Sequence, residues 1–526
     1  MSDAGRPRRV ALAVLTVATV LATAACSGSV PGAGRPATHG PTSPAPASTS
    51  TPTITTPTSE PGPSPSDSPA PPGPVDGVAG AKGFGDPYYP EAGNGGYQVD
   101  HYDVVLSWDP STDRLAATTT LTGSVTATER LGRFNLDLEP NLEVSSVLVG
   151  DRSAEFVQDE AELVITPATA LEPGSPLTVA VEYAGEPGEI TSRDGGLADG
   201  GWYRTPTGGA VVVGQPASAT AWFPVNDHPG DPATFAVTAT VPEGWNVIGN
   251  GLPVTEGLPT PPTGSAVFRW ELDRPVASYL TTLYIDRFTT DETTLADGTP
   301  VINAYAPGLQ RQLHPVTELT PQILEVLSRH FGPYPFDAAG GIFPQLSLGF
   351  ALETASRPVY TGAVDPDLLV HELAHQWYGD DVTIAQWRDI CLNECIASYA
   401  PWLWAQDTEN LDLDEQWRAQ MAQVVDQPAF WRSPLVDMGA GNEFTRVYDR
   451  GPLAVHALRA ELGEETFAAL LTGWVQQYSG RNASWEDFED FVSELAGRDL
   501  RPFIDAWFRG TEVPSEQFRY PGALGR

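Results

Sequence analysis

In the stretch HELAHQWYGDDVTIAQWRDICLNEC, residues 371–395, two histidines stand four residues apart around a glutamate. On a helix such residues share a face, so His371 and His375 can offer both imidazoles to one tetrahedral metal, about 2.0 to 2.1 Å from each nitrogen. Glu372 then points beside the metal, where a carboxylate can serve as general base. Zinc-dependent peptidases carry this arrangement, but the same spacing also occurs on the solvated face of an ordinary helix. Glu394, nineteen residues after His375, bears on that choice. It falls in LNECIASYA, a second helical segment that could run antiparallel to the first and supply a third ligand. A His2Glu set leaves one position for water, as a catalytic zinc requires. The intervening QWYGDDVTIAQWRD is rich in aromatic residues that could wall such a site.

Two kinds of element must position these groups. From about Tyr97 to Phe288, YDVVLSW, TLTGSVTAT, TVAVEYAG and TFAVTATV are short, β-branched and aromatic stretches bounded by turn residues, and Phe134, Leu136 and Leu138 alternate with Asn135 and Asp137. After about Asp291 the texture changes. From Pro315 onward VTELTPQILEVLSRHFG and, at 452–470, PLAVHALRAELGEETFAAL show helical spacing of apolar residues. A chain of 526 residues exceeds the size of one core, so a multidomain α+β architecture is expected. Its parts are an N-terminal all-β sandwich or saddle domain over 85–290 and a mainly helical domain over 291–526.

The first 26 residues read as an export signal: Arg6, Arg8 and Arg9, an apolar run from Val10, then small residues ending at Cys26. That run, about 16 residues, is shorter than the roughly 20 needed to span a bilayer. ATAAC is similar to a bacterial lipobox, apart from Thr23, which makes Cys26 the expected lipidation site, with plain secretion as the alternative. Residues 27–84 are dominated by Pro, Ser, Thr, Ala and Gly, too poor in apolar surface to offset ordering entropy, and are expected to form a tether. A formal charge of −38 excludes a phosphate-neutralising surface, so no nucleic acid partner is expected, and membrane association is left to the lipid. Besides Cys26, only Cys391 and Cys395 remain. In a regular helix their β-carbons lie about 5 to 6 Å apart, so a disulfide needs Cys391 to precede the helix.

HELAHQWYGDDVTIAQWRDICLNE resembles the zinc-binding segment of the aminopeptidase N family of gluzincin metallopeptidases, which also includes the leukotriene hydrolase. The resemblance implies one Zn2+ on His371, His375 and Glu394, with Glu372 as general base. FALET, Phe350 to Thr354, is similar to the family's Gly-x-Met-Glu-Asn segment and implies that Glu353 binds the free α-amine of the substrate. VYDRGPLAVHALRAELG resembles the tyrosine segment, making Tyr448 the donor to the tetrahedral intermediate. GQPASATAWFPVNDHPGD resembles the segment that adds a second amine-binding residue, here Gln215. The four motifs stand in the family's order, and the similarity runs from about Tyr97 to about Pro514.

Signal, tether and resemblance together imply an exported, lipid-anchored zinc aminopeptidase with a thermolysin-like catalytic domain, acting on peptides with a free N-terminus outside the membrane; a monomer is favoured, although no residue sets the oligomeric state. A zinc endopeptidase and an inactive tethered peptide-binding protein are the alternatives. Phe350, Leu352 and Thr354 depart from the family's glycine, methionine and asparagine, which leaves specificity open. Arg450 stands where lysine is common. The chain ends at Arg526 soon after FIDAWFRGTEVP, so a short form without the large helical C-terminal domain of many relatives is expected, with a more open site. His39, His101, His228, His314, His330 and His456 lack ligand spacing.

Overall fold

Alternation builds the first half. In Tyr97–Asp109, Tyr97, Val99, Tyr102, Val104, Leu106 and Trp108 are buried, and a bulge between Val99 and His101 keeps the later residues on the inner face. This strand pairs antiparallel with Arg114–Val125 and parallel with Ala233–Pro242, at the centre of an eight-stranded sheet. Two four-stranded sheets accompany it. One contains Leu131–Asp137, the other Ala210–Val213 and Leu283–Asp286. In Leu131–Asp137 the polar members of the alternation are buried as well. Asn135 donates to Glu162 at 2.9 Å, and Asp137 accepts from the backbone of Asp227 at 2.8 Å.

The computed structural model describes residues 75–190 and 200–525. The expected export signal, Cys26 and residues 27–74 of the expected tether lie outside the described residues. Within the last part of that expected tether, Val78–Ala79 pairs in parallel with Leu131–Asp137, so the β domain begins earlier than its composition indicates. The described residues belong to one compact unit, Pro69–Arg526, in which a continuous apolar core joins the two halves. Among them no helix is long and apolar enough to cross a membrane.

The second half opens with a sheet that helical spacing does not reveal. Its five strands run Thr289–Thr294, Pro300–Tyr305, Ala339–Phe343, Val359–Tyr360 and Ala351–Leu352 in spatial order. Ala339–Phe343 is AGGIF, buried throughout, with neither alternation nor β-branched enrichment to mark it. Helices then dominate, among them Thr320–Phe331, Arg450–Leu462 and Glu464–Tyr478, the last two separated at Gly463.

Between the halves lies a buried polar loop, 224–231. Asn226 donates to Asp231, and both carboxylate oxygens of Asp231 accept from the backbone of Val99, each at 3.3 Å. Burial pushes the Asp231 carboxyl up to about 7, against the pull of these donors. A carboxyl raised in the folded state contributes stability that is full below its unfolded value, near 4, and is lost as pH rises through about 7. Between pH 5 and pH 8 the protein is therefore expected to lose about 2.5 kcal/mol more than Asp231→Asn does. Urea unfolding of both proteins at the two pH values checks this; equal losses would remove Asp231 as the cause.

Candidate functional site

The ligand helix, Pro366–Ala374, starts at Asp365, whose side chain accepts from the backbone of Leu368 at 2.9 Å, with Pro366 in its first turn. His371 lies in its last turn, and His375 caps it with helical backbone angles, so the two imidazoles meet on one side as the spacing requires. Their Nε2 atoms are 3.2 Å apart, and Glu394 Oε2, from the helix Cys391–Ala397, is 3.5 Å from His371 Nε2 and 3.6 Å from His375 Nε2. Ligand atoms about 2.05 Å from a tetrahedral ion stand about 3.3 Å from one another, so this trio fits zinc. Glu394 Oε2 is buried and no hydrogen bond reaches it, as suits an atom meant for a cation. His375 Nδ1 lies 3.0 Å from the carbonyl of Tyr378, which fixes the proton there and leaves Nε2 as the donor atom. Burial, partly opposed by Glu394, pushes the His375 imidazole down to about 4, so it is neutral.

Glu372 is 4% exposed, and burial pushes its carboxyl up to about 8. His371 opposes that shift, Glu353 and Glu394 add to it, and a divalent cation held by the trio would work against it. A second trio, Glu353, Glu372 and His375, also gathers its ligand atoms within 4.8 Å of one another. It places the general-base candidate and the amine-binding candidate side by side.

Glu353 follows the outer strand Ala351–Leu352 and is buried. Its Oε1 accepts from Gln215 Nε2 at 3.2 Å and from the Tyr279 hydroxyl at 3.2 Å, so the β domain reaches the site through two residues. Gln215 is delivered there by Gly214: at φ +146° it lies so close to Gly200 that a β-carbon would meet the Gly200 Cα at 1.9 Å. Burial raises the Glu353 carboxyl, with Tyr279 and Gln215 opposing. Among the departures from the family pattern, Thr354 is spent on a turn, donating to the carbonyl of Arg357 at 2.6 Å, while Leu352 is buried and Phe350 is 36% exposed.

Tyr448 approaches from the other side. Its ring lies 5.8 Å from that of His371 and stacks on Phe444, and it is 53% exposed, open to whatever enters the cleft. Arg450, two residues on, is fully buried and donates to four carbonyls, those of Trp431, Ser433, Trp507 and Gly510. Its helix, Arg450–Leu462, packs on the Glu394 helix at Gly451, where a β-carbon would meet Cys395 Sγ at 3.0 Å. Cys391 and Cys395 form a disulfide with their Cα atoms 4.8 Å apart. Cys391 does not precede the helix, as spacing had demanded, but is its first residue. At this end the backbone N–H groups of Asn393 and Glu394 both reach the carbonyl of Ile390 at 3.0 Å, the first of them making the tighter three-residue closure that a helix end allows.

All seven described candidates therefore converge: Gln215, Glu353, His371, Glu372, His375, Glu394 and Tyr448. Sequence reasoning missed Tyr279 and Gln376. The side chain of Gln376 donates to the carbonyl of Glu353 at 3.2 Å and to Asp380 at 2.6 Å, and accepts from the backbone of Ser356 at 2.7 Å. Its place directly after His375 was the one available signal.

Residues 361–507 match the Peptidase family M1 domain. An M1 zinc metallopeptidase of Deinococcus radiodurans superposes with a TM-score of 0.74 at 30% identity, covering 84% of this chain and 99% of that one. A glutamate-to-alanine mutant of the same metallopeptidase, bound to a Tyr-Ser-Ala substrate, gives 0.73 at 30% identity over 82% and 98%. Aminopeptidase N of Canis lupus familiaris is 27% identical over 66% of this chain and 40% of its own length. Aminopeptidase N of Streptomyces lividans is 28% identical over 53% and 36%. The chain spans between 36% and 49% of the length of such curated relatives.

Proposed function

Because the chain belongs to peptidase family M1, a family of zinc metallopeptidases, we propose that it is a zinc-dependent aminopeptidase removing the N-terminal residue of peptides. The observation that carries this reading is the placement of Glu353. It is a buried carboxylate whose hydrogen-bond partners, Gln215 and Tyr279, are neutral, and it lies within 4.8 Å of the Glu372 carboxylate. An α-amine and the carbonyl carbon of its own residue are two bonds, about 2.5 Å, apart. An ammonium held at Glu353 thus presents the first carbonyl, and no later one, to Glu372.

Zinc on His371, His375 and Glu394 would acidify a water and polarise the scissile carbonyl. Glu372 takes the proton of the attacking water and returns it to the leaving amine. Tyr448, half-exposed beside His371, donates its hydroxyl to the developing oxyanion. Gln215 holds one oxygen of Glu353, leaving the carboxylate oriented for the ammonium. The reading includes export through residues 1–26 and lipidation at Cys26, on the outer face of the membrane, and it rests there on the sequence alone. Labelling with a lipid precursor in the native and Cys26→Ala proteins tests that part; equal labelling would leave plain secretion.

Hydrolysis of aminoacyl fluorogenic amides, free and N-acetylated, tests the activity. Only free-amine substrates are expected to be cut, and Glu353→Gln is expected to raise KM for them by about 10- to 100-fold, the worth of a hydrogen bond to a charged group. Equal cleavage of blocked substrates would make the protein an endopeptidase. Absence of cleavage with zinc bound would make it a binding protein.

A further inference from the structure

The turn Asp86-Pro87-Tyr88-Tyr89-Pro90 lies near the start of the β domain yet reaches both arms of the site. Asp86 Oδ1 builds the turn by accepting from the backbone of Tyr88 at 2.7 Å and of Tyr89 at 3.1 Å. Asp86 Oδ2 spans the two domains, accepting from the backbone of Trp387 at 2.8 Å and lying 3.2 Å from His228 Nε2. The two tyrosines then hold one irregular loop. Tyr88 donates to Asp437 Oδ1 and accepts from the backbone of Gly439, both at 2.8 Å, and Tyr89 donates to Glu443 Oε1 at 2.9 Å.

That loop ends at Tyr448. Between Trp431 and Arg450 the chain has no helix or strand, and Asp437, Gly439, Gly441 and Arg446 all adopt positive φ. Glu443 is fully buried, and its neighbour Phe444 stacks on the Tyr448 ring. On the opposite arm, Tyr89 packs edge-on against Trp387 with centroids 6.1 Å apart, and Trp387 packs against Tyr279, the residue that donates to Glu353.

We propose that Tyr88 and Tyr89 are positioning residues that hold the 437–449 loop so that Tyr448 meets the substrate at the metal. The proposal rests on the aminopeptidase reading for its kinetic readout. The hydroxyls act through Tyr448, and a loop with so few regular hydrogen bonds needs outside anchors to keep one conformation.

The test compares the full chain with the double variant Tyr88→Phe/Tyr89→Phe, each made with Tyr448 intact and with Tyr448→Phe. With Tyr448 intact, kcat is expected to fall about 5- to 10-fold for each loosened hydrogen bond, while KM stays within about twofold and zinc content is unchanged. In the Tyr448→Phe background the same changes should cost nothing further, since the group they position is gone. Equal losses in both backgrounds, or no loss, would overturn the proposal. Amide hydrogen exchange supplies a second readout that needs no turnover. Residues 437–449 should exchange faster in the double variant, and unchanged exchange would overturn the proposal even if the wild-type protein cut no substrate, an outcome that would instead count against the aminopeptidase reading.

Discussion

Glu372→Gln is expected to keep zinc at full stoichiometry and to lower kcat/KM by about 1,000-fold or more, the upper range for loss of a positioned general base. The substitution keeps size and a hydrogen-bonding head and removes the carboxylate's charge together with its ability to hold a proton. The Glu372 side chain is buried beside Glu353 and His375 and outside the His371, His375, Glu394 trio, so its loss should leave the ligand atoms where they are. Zinc analysis of the purified variant, together with single-turnover kinetics, checks both halves. Full activity in the variant would assign proton transfer to another group. Loss of zinc would place the ion in the second trio, where Glu372 is itself a ligand candidate.

Glu394→Gln should behave in the opposite way. Its Oε2 is the one anionic donor of the trio, and a neutral amide there withdraws the charge that offsets the ion. Loss of residues that merely support ligands costs 10- to 100-fold in affinity, so loss of this ligand is expected to cost more than about 100-fold. Activity should vanish at limiting zinc and return in part at high zinc. The stabilisation that zinc gives to thermal unfolding should shrink in step, because that stabilisation depends on the ratio of free metal to Kd. Chelator competition and a zinc-dependent melting series measure these effects. A variant that holds zinc as tightly as the wild type would exclude Glu394 from the coordination sphere.

The metal trio was legible because two of its members share a helix face and the third sits on the next helical segment, so periodicity and ligand chemistry suffice. Glu353, Gln215 and Tyr448 were legible only through resemblance. Gln215 and Glu353 are 138 residues apart, and nothing local to either marks their hydrogen bond. Tyr279 and the Asp86–Tyr89 turn were not legible at all, since a tyrosine in a loop looks the same whether its hydroxyl meets water or a buried glutamate. The β domain declared itself through strands such as Tyr97–Asp109, whose alternation records one wet face. AGGIF, buried on both faces, carries no such record, and the sheet it belongs to was read as part of a helical region.

The four carbonyls around Arg450 also bind distant stretches of the chain to the Tyr448 segment. The candidate metal ligands end at residue 394, but Arg450 takes two of its acceptors from Trp507 and Gly510. Without residues 507–510 a buried guanidinium would be half satisfied, which would loosen the segment bearing Tyr448. The segment that carries Tyr448 is therefore tied to the far end of the domain, and removing residues 507–510 is expected to cost the placement of Tyr448 beside His371.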